Sequence, residues 1–159
     1  MSQTPQQKKS RFQLSREVQE EFVNGIAQSM LSLAENAEQG QPSVGEAPFC
    51  PVTGKEYSGA NMVRLTLTAM EKGYDDNRWL TFKQLQAIRD EHPDLSIRIK
   101  KGEHGVTVLR PEDVFFTVEQ DGKWNFVSEE QADGIPAVQR HTLLYPFTLF
   151  NAAQIANFP

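Results

Sequence analysis

Residues 78–110 read RWLTFKQLQAIRDEHPDLSIRIKKGEHGVTVLR, and the spacing of their apolar residues changes partway along. Thr81 is placed to cap a helix over 82–91, and Pro93 prevents that helix from continuing. After the proline, apolar and polar residues alternate, which is typical of half-buried strands. The alternating apolar residues are Ile97, Ile99, Val106 and Val108. A helix followed directly by strands indicates an α+β fold, with about three helices packed on one face of a small antiparallel sheet with hairpins.

Two further helices are predicted on the N-terminal side of this stretch. Ser15 is positioned to cap the first, in which an apolar stripe runs at three- and four-residue spacing until a Gly-Gln-Pro sequence at 40–42. The stripe consists of Val18, Phe22, Ile26, Met30, Leu33 and Ala37. Ser58 or Asn61 opens the second helix, which ends at Gly73 after an apolar run that implies burial on most sides.

The C-terminal side of the stretch is predicted to be mainly strands. The predicted strands are 114–119, 123–127 and 142–150, followed by a short helical turn at 151–156. Asp121 and Gly122 form a strong two-residue hairpin signal between the first two of these strands. Residues 101–105 are predicted to join the Ile97 strand to the Val106 strand as a second hairpin, with cations at its tip.

The domain organisation predicted from these patterns is simple. Residues 1–14 are polar and aperiodic, so we expect a mobile N-terminal arm, and 15–159 are expected to form one domain. A chain of 159 residues is long enough to bury a real core. Residues 42–59 contain several prolines and glycines, which indicates a long ordered loop or a linker.

The residue types that catalysis or metal binding requires are scattered in this sequence. Cys50 is the single cysteine, which excludes an intramolecular disulfide and a zinc site built on paired cysteines. The three histidines, His92, His104 and His141, are isolated. Residues 52–55, VTGK, have the residue types of a phosphate-binding loop but not its spacing. We therefore expect a protein that is not an enzyme and that uses no cofactor or metal.

The sequence gives no signal for export or for membrane insertion. The N-terminal segment has no apolar core of the kind found in signal peptides, and nowhere do about 18 apolar residues run together. We expect a cytoplasmic protein without a membrane partner.

The charge is distributed unevenly along the chain. The whole sequence carries a formal net charge of −5, which alone argues against a nucleic-acid partner. The stretch from Arg78 to Arg110, however, contains seven basic residues and four acidic ones. This segregation is compatible with a basic face on an acidic protein, and ordinary solvated surface charge is the alternative interpretation.

Aromatic and basic residues mix in the middle of the chain, as expected of a surface that stacks bases and holds phosphates. The candidate phosphate contacts are Lys55, Arg64, Arg78, Lys83, Arg98, Lys100 and Lys101. The candidate stacking platforms are Tyr57, Tyr74 and Trp79, and the candidate hydrogen-bond donors are Asn61, Thr81 and His104. For Trp79, a role as a core anchor is an equally open interpretation.

Several short motifs resemble the N-terminal domain of the ArdC antirestriction family. They are 51–61, PVTGKEYSGAN, then Gly73-Tyr74, 78–84, RWLTFKQ, 100–105, KKGEHG, and 148–155, TLFNAAQI. The resemblance implies a domain that binds single-stranded DNA, found in plasmids and other mobile elements and at the front of some plasmid primases. There it can cover the strand that enters a recipient cell during conjugation.

The resemblance also implies a larger context for this domain. A metallopeptidase-like or primase domain follows it in longer parent proteins, so the chain is either an excised domain or a stand-alone version. A function from a different class stays open: a protein-interaction module that uses the acidic face of the first helix to block a restriction or replication partner.

Overall fold

The computed structural model describes residues 10–36 and 46–159, and these residues form an α+β fold. The helices are α1 (Arg11–Glu35), α2 (Gly59–Lys72), α3 (Phe82–Glu91) and the single turn α4 (Glu129–Ala132). The strands are β1 (Trp79–Leu80), β2 (Arg98–Ile99), β3 (Val106–Val118), β4 (Trp124–Val127), β5 (Gln139–Asn151) and β6 (Ile155–Ala156). A 3-10 turn, Ala152–Gln154, precedes β6. The predicted fold class is confirmed.

The strands form two sheets. One has four strands in the order β1-β5-β3-β4, with antiparallel pairing at both of its outer pairs. The other is an antiparallel pair of β2 with β6, in which Arg98 lies opposite Ala156. The hairpin predicted between the Ile97 and Val106 strands is therefore wrong, because β2 pairs with a strand more than fifty residues away. Ile97 and Ile155 are buried with Leu80 and Leu85 in one cluster, so burial of apolar side chains accompanies this distant pairing.

Contacts divide the chain into two compact units. The first, called the hairpin unit, comprises the described residues up to Glu20 together with Arg110–Tyr145, and its buried residues include Val114, Phe116 and Leu143. The second, called the helical unit, comprises the described residues of Glu21–Leu109 with Pro146–Pro159. The α1 helix and the strands β3 and β5 each contribute residues to both units. The single domain expected over 15–159 stays a prediction.

The first helix begins earlier than predicted. Ser10 precedes α1 and exchanges two hydrogen bonds with Gln13, one through its backbone N–H (2.9 Å) and one through its hydroxyl (3.2 Å). Residues 11–14 are therefore helical and not part of an arm, whereas 1–9 lie outside the described residues. Ser15 caps nothing; its hydroxyl accepts a hydrogen bond from the Leu144 N–H (2.8 Å).

The apolar stripe predicted along α1 is only partly buried. Phe22 is buried as expected, but Met30 is 58% exposed and Ser29 is buried in its place. Ser29 is polar, so spacing alone did not mark it as inward-facing, and its hydroxyl donates to Glu71 (2.9 Å) on α2. The predicted stop at 40–42 and Ala37 lie outside the described residues, and the helix ends at Glu35.

The second and third helices follow their sequence signals closely. Ser58 precedes α2, which ends at Gly73, and Thr81 caps α3 in a reciprocal pair of hydrogen bonds with Gln84. The burial predicted for α2 is wrong, because Met62 and Val63 are exposed and only Leu65 and Thr68 are buried. The apolar run of α2 is thus longer than the face that packs.

The strands after 105 differ from prediction in two respects. The hairpin at Asp121-Gly122 is confirmed, but its loop has three residues, 120–122, instead of two, because the Glu119 N–H donates to the Lys123 carbonyl (2.8 Å). However, the two strands predicted before it are one, because β3 runs without interruption through Pro111. Strand β4 pairs with β3 only at 115–118, so at Pro111 one side of β3 has no neighbour in the sheet and a missing N–H is tolerated.

Candidate functional site

The segment before α2 is a compact turn anchored to β1. The Trp79 N–H donates to the Phe49 carbonyl (2.9 Å), and the Gly54 N–H donates to the Cys50 carbonyl (2.8 Å). The Cys50 thiol is buried and accepts a hydrogen bond from the Gln84 amide (3.3 Å). Burial alone would raise the pKa of this thiol, but hydrogen bonds from 52–53 and Gln84 outweigh it and hold the pKa below its ordinary value. These contacts fix the loop.

Two of the three predicted stacking platforms are not free surfaces. Trp79 is 1% exposed, so no base can stack on its ring, and its role as a core anchor is the correct interpretation. Tyr57 is partly buried, and its hydroxyl donates to the Trp79 carbonyl (3.2 Å). Burial, with a further contribution from Cys50, raises the pKa of Tyr57. Both rings therefore stabilise the loop.

Two predicted ligand residues on α2 make internal hydrogen bonds instead. The Asn61 amide donates to the Leu109 carbonyl (2.7 Å) and accepts from the Leu109 N–H (2.9 Å), which ties α2 to β3. The Arg64 guanidinium donates to the Gly25 carbonyl (2.7 Å) and to the Ser29 hydroxyl (3.1 Å). Burial lowers the pKa of Arg64, and the charge of Glu71 opposes that effect.

Arg78 and Thr81 are also committed to the fold. Arg78 binds both carboxylate oxygens of Asp76 (2.8 Å from Nη2 to Oδ2), donates to the Pro159 carbonyl (2.7 Å) and lies over the Phe158 ring. The hydroxyl of Thr81 caps α3. Sequence alone could not separate these polar residues from ligand-binding ones, because the same groups serve both purposes.

Six other predicted residues are exposed, and four of these belong to one segment. Lys55 and Lys83 are exposed separately. Arg98, Lys100, Lys101 and His104 are exposed on β2 and the loop that follows it, here called the basic loop, 98–104. Gly102 has a positive φ of 85°, which suits the tight turn closed by the Glu103 N–H and the Lys100 carbonyl (3.2 Å).

The basic loop is held in place by the turn that precedes β6. Gln154 is 1% exposed and donates from its amide to the Glu103 carboxylate (2.9 Å) and to the His104 carbonyl (2.8 Å). The Lys100 ammonium donates to the Ala153 carbonyl (2.7 Å), and the Lys100 N–H donates to the Gln154 carbonyl (2.9 Å). The cations therefore project from a loop with a fixed backbone.

A pocket of about 360 Å³, here called the α2 pocket, lies beside the end of the basic loop. Its polar lining includes Arg64, Thr68, Lys72, Tyr74, His104 and Thr107, and Glu21 contributes one acidic group. Sequence reasoning missed Lys72, although its position in the last turn of α2, directly before Gly73, was a usable signal. The structure thus brings Arg64, Tyr74 and His104 together from three separate segments.

Tyr74 is the predicted platform that lines the α2 pocket. It is partly buried, its ring meets Trp79 edge-on (6.1 Å between centroids), and its hydroxyl lies 3.4 Å from the Glu103 carboxylate. Burial and then the charge of Glu103 raise its pKa.

The α2 pocket also contains a polar atom that is not satisfied. Within the part of the chain that the structure describes, the buried Nε of Arg64 has no hydrogen-bond partner.

Gly105 lets β3 start close to β5. A Cβ at this position would lie 2.3 Å from the Thr148 methyl carbon and 2.9 Å from the Leu149 carbonyl oxygen. Any larger residue would push the end of the basic loop away from its present place. The KKGEHG motif therefore combines exposed cations with a glycine that the packing requires.

A second pocket, of about 440 Å³, has the opposite electrostatic character. Its lining includes Glu46, Asp75 and Asp76 beside apolar side chains of α2, and no lysine or arginine. Negative charge here disfavours phosphate. Among residues 10–36 and 46–159, no group of three or more His, Cys, Asp or Glu is arranged to hold a metal ion.

The Asp76–Arg78 pair gives a testable pH dependence. Burial would raise the pKa of Asp76, but the hydrogen bonds and charge of Arg78 outweigh it and hold the pKa below the ordinary 3.8. A depressed pKa stabilises the fold above that value, and the stabilisation is lost as the pH falls through the folded-state pKa. Asp76→Asn is expected to lower the free energy of unfolding by about 1–2 kcal/mol at pH 7, measured by urea denaturation.

The pH series supplies the test of that expectation. The difference between Asp76→Asn and the unmodified chain should shrink as the pH falls below about 4. Asp121→Asn, which removes an exposed ion pair with Lys123, is the matched control and should leave stability nearly unchanged. If the loss of stability in Asp76→Asn at pH 7 persisted unchanged at low pH, the Asp76–Arg78 ion pair would not be its cause.

Comparisons with known proteins agree on one family. A model described as the N-terminal domain of anti-restriction factor ArdC matches residues 16–150. Two relatives from Escherichia coli, both named DNA primase TraC, are 30% identical over 115 residues and 31% identical over 138 residues. These alignments cover 70% and 77% of this chain but only 10% and 8% of the primases.

A solved structure gives the same result. The metal-free crystal structure of antirestriction ArdC protein from the R388 plasmid superposes with a TM-score of 0.52 at 27% identity. The match covers 93% of this chain and 43% of that one. The chain thus spans less than half of the ArdC chain and about a tenth of the primases. None of the helices in the described ranges is both long and apolar enough to cross a membrane.

Proposed function

This chain belongs to the family of N-terminal domains of anti-restriction factor ArdC, and from that premise we propose that it binds single-stranded DNA with little sequence preference. The observation that carries the proposal is the basic loop, whose cations are exposed while its backbone is fixed by Gln154. A fixed loop positions charges for phosphates without a large ordering cost on binding. The domain binds without performing catalysis.

The contacts that we propose run from the basic loop to the α2 pocket. Arg98, Lys100 and Lys101 contact successive phosphates, and the strand then passes the α2 pocket, where Lys72 and His104 hold another phosphate. Tyr74 presents part of its ring to a base in that pocket. Lys55 and Lys83 add charge at longer range. Binding of this kind is sensitive to salt and tolerant of sequence.

The biological role that we propose is the one that the family implies. In a longer parent protein, with a metallopeptidase-like or primase domain after it, this domain delivers the parent to single-stranded plasmid DNA in the cytoplasm. The relatives named DNA primase and antirestriction protein support such a context.

Fluorescence anisotropy with a labelled oligonucleotide tests the proposal. Reversing Lys100 and Lys101 to Glu removes two phosphate contacts, so affinity should fall about 10- to 100-fold and the slope of log K against log salt by about 1.4. The control is Arg89→Glu with Arg110→Glu, an equal change of charge at exposed positions outside the basic loop and the α2 pocket. Equal loss in both variants, or equal binding of duplex, would contradict a single-strand site here.

The protein-interaction alternative has one specific observation in its favour. Helix α1 exposes Glu20, Glu21 and Glu35 and also the apolar side chains of Val23 and Leu31. Such a surface suits a protein partner better than DNA. An acidic decoy keeps its partner when Lys100 and Lys101 are reversed, so the same pair of variants separates the two functions.

A further inference from the structure

The hairpin unit carries a cluster of rings that the site described above does not use. This aromatic patch consists of Phe12, Phe116, Trp124, Phe126 and His141. Trp124 stacks on Phe116 with an angle of 16° between the rings and 4.8 Å between their centroids, and Phe12 meets Trp124 edge-on at 4.5 Å. The rings therefore hold one another in a defined orientation.

Burial divides the patch into an inner and an outer part. Phe116 is 5% exposed and belongs to the core, whereas Trp124 is 48% and Phe126 37% exposed. The two outer rings are two residues apart on β4, so they share one face of the strand. Strand β4 is the last in its sheet, so that face is not extended by a further strand. Large exposed rings in a fixed orientation suit the binding of a flat ligand.

The charges around the patch indicate which ligand fits. The Arg11 guanidinium lies over the Phe126 ring, 4.8 Å from its centroid. Lys123, next in sequence to Trp124, is 80% exposed. Its ion pair with Asp121 is exposed to solvent and therefore weak, so the Lys123 ammonium is available to a phosphate.

We propose that the Trp124 ring is the platform of a second contact surface for single-stranded nucleic acid, on which a base stacks while Arg11, over the Phe126 ring, and Lys123 hold the adjoining phosphates. This inference rests on the proposed function and extends it from the helical unit to the hairpin unit. Stacking needs only the π-face that every base has, which agrees with weak sequence preference. An apolar protein partner would leave Arg11 and Lys123 without a counterpart.

The two tryptophans of the chain make the inference directly measurable. Trp79 is buried and Trp124 is exposed, so a Trp79→Phe variant leaves Trp124 as the single reporter. Titration of that variant with oligo(dT) should quench the Trp124 fluorescence in parallel with the rise in anisotropy. Trp124→Leu, which keeps apolar bulk but removes the ring, should weaken binding about 5- to 100-fold, and Trp124→Phe should recover most of the loss.

The outcomes separate this inference from the proposed function. If the oligonucleotide binds but Trp124 fluorescence is unchanged and Trp124→Leu binds normally, the second surface is overturned and the basic loop stands. If no variant binds any oligonucleotide, the proposed function itself fails. A Trp124 signal that depends on protein concentration without oligonucleotide would identify a second copy of the chain as the occupant, and would also overturn the inference.

Discussion

Replacement of Trp79 by alanine is expected to lower the free energy of unfolding by about 3–5 kcal/mol, a large part of the stability of an ordinary domain. The side chain is 1% exposed, and its strand pairs with β5 through Trp79 opposite Asn151. Its backbone also carries the Phe49 and Tyr57 hydrogen bonds that hold the preceding turn. Truncation therefore leaves a cavity where three segments meet. Urea denaturation measures the loss.

Two further variants show whether the effect comes from burial. Trp124→Ala removes the same side chain from an exposed position and should cost about 1–2 kcal/mol, mainly from lost ring contacts. Trp79→Phe should keep oligonucleotide affinity within about twofold, because the buried ring is not a stacking platform. Equal losses at both tryptophans, or a folded Trp79→Phe that no longer binds, would contradict the assignment of Trp79 to the core.

Local signals predicted local structure well in this chain. Thr81 marks the start of α3, Gly73 marks the end of α2, and Asp121-Gly122 marks the hairpin, because each depends on residues a few positions apart. The partner of β2 was not predictable in this way. Alternation shows that Ile97 and Ile99 belong to a strand, but it contains no information about which distant segment completes the pair.

The candidate site was predicted less completely than the fold. The cations of the basic loop were identified because charge is visible in a sequence. Arg64 and Arg78 are assigned to DNA for the same reason, and Asn61 as a hydrogen-bond donor, yet each makes hydrogen bonds within the protein that only the folded chain brings within reach. Lys72 was passed over because it lies at the end of an apolar helix, away from the basic stretch in sequence.

Gln154 links the fold to the proposed function, and its replacement by alanine is expected to cost about 2–4 kcal/mol. Its amide oxygen accepts from the Asn151 N–H (2.9 Å), and its amide nitrogen donates to Glu103 and to the His104 carbonyl. All three bonds involve a side chain that is 1% exposed, so the groups left behind lose partners in a place that water cannot easily reach. Denaturant unfolding gives the magnitude.

A matched control exists in the same chain. Gln131 forms the equivalent reciprocal hydrogen bonds with Ser128 on an exposed surface, with the Ser128 N–H donating at 3.2 Å. Gln131→Ala is expected to cost no more than about 1 kcal/mol, because water replaces its contacts. If both glutamines proved equal, burial of Gln154 would not be what makes its contacts important.

The Gln154→Ala variant also tests how the basic loop binds a strand. Without Gln154, the segment from Lys100 to His104 loses two of the hydrogen bonds that fix it, so its cations must be ordered when a strand binds. Oligonucleotide affinity at a temperature where the variant is folded should therefore fall about 3- to 10-fold, although no cation is removed. The salt slope should stay as in the unmodified chain, because the number of phosphate contacts is the same. Reduced affinity with a reduced slope would mean instead that the loop has moved away from the strand.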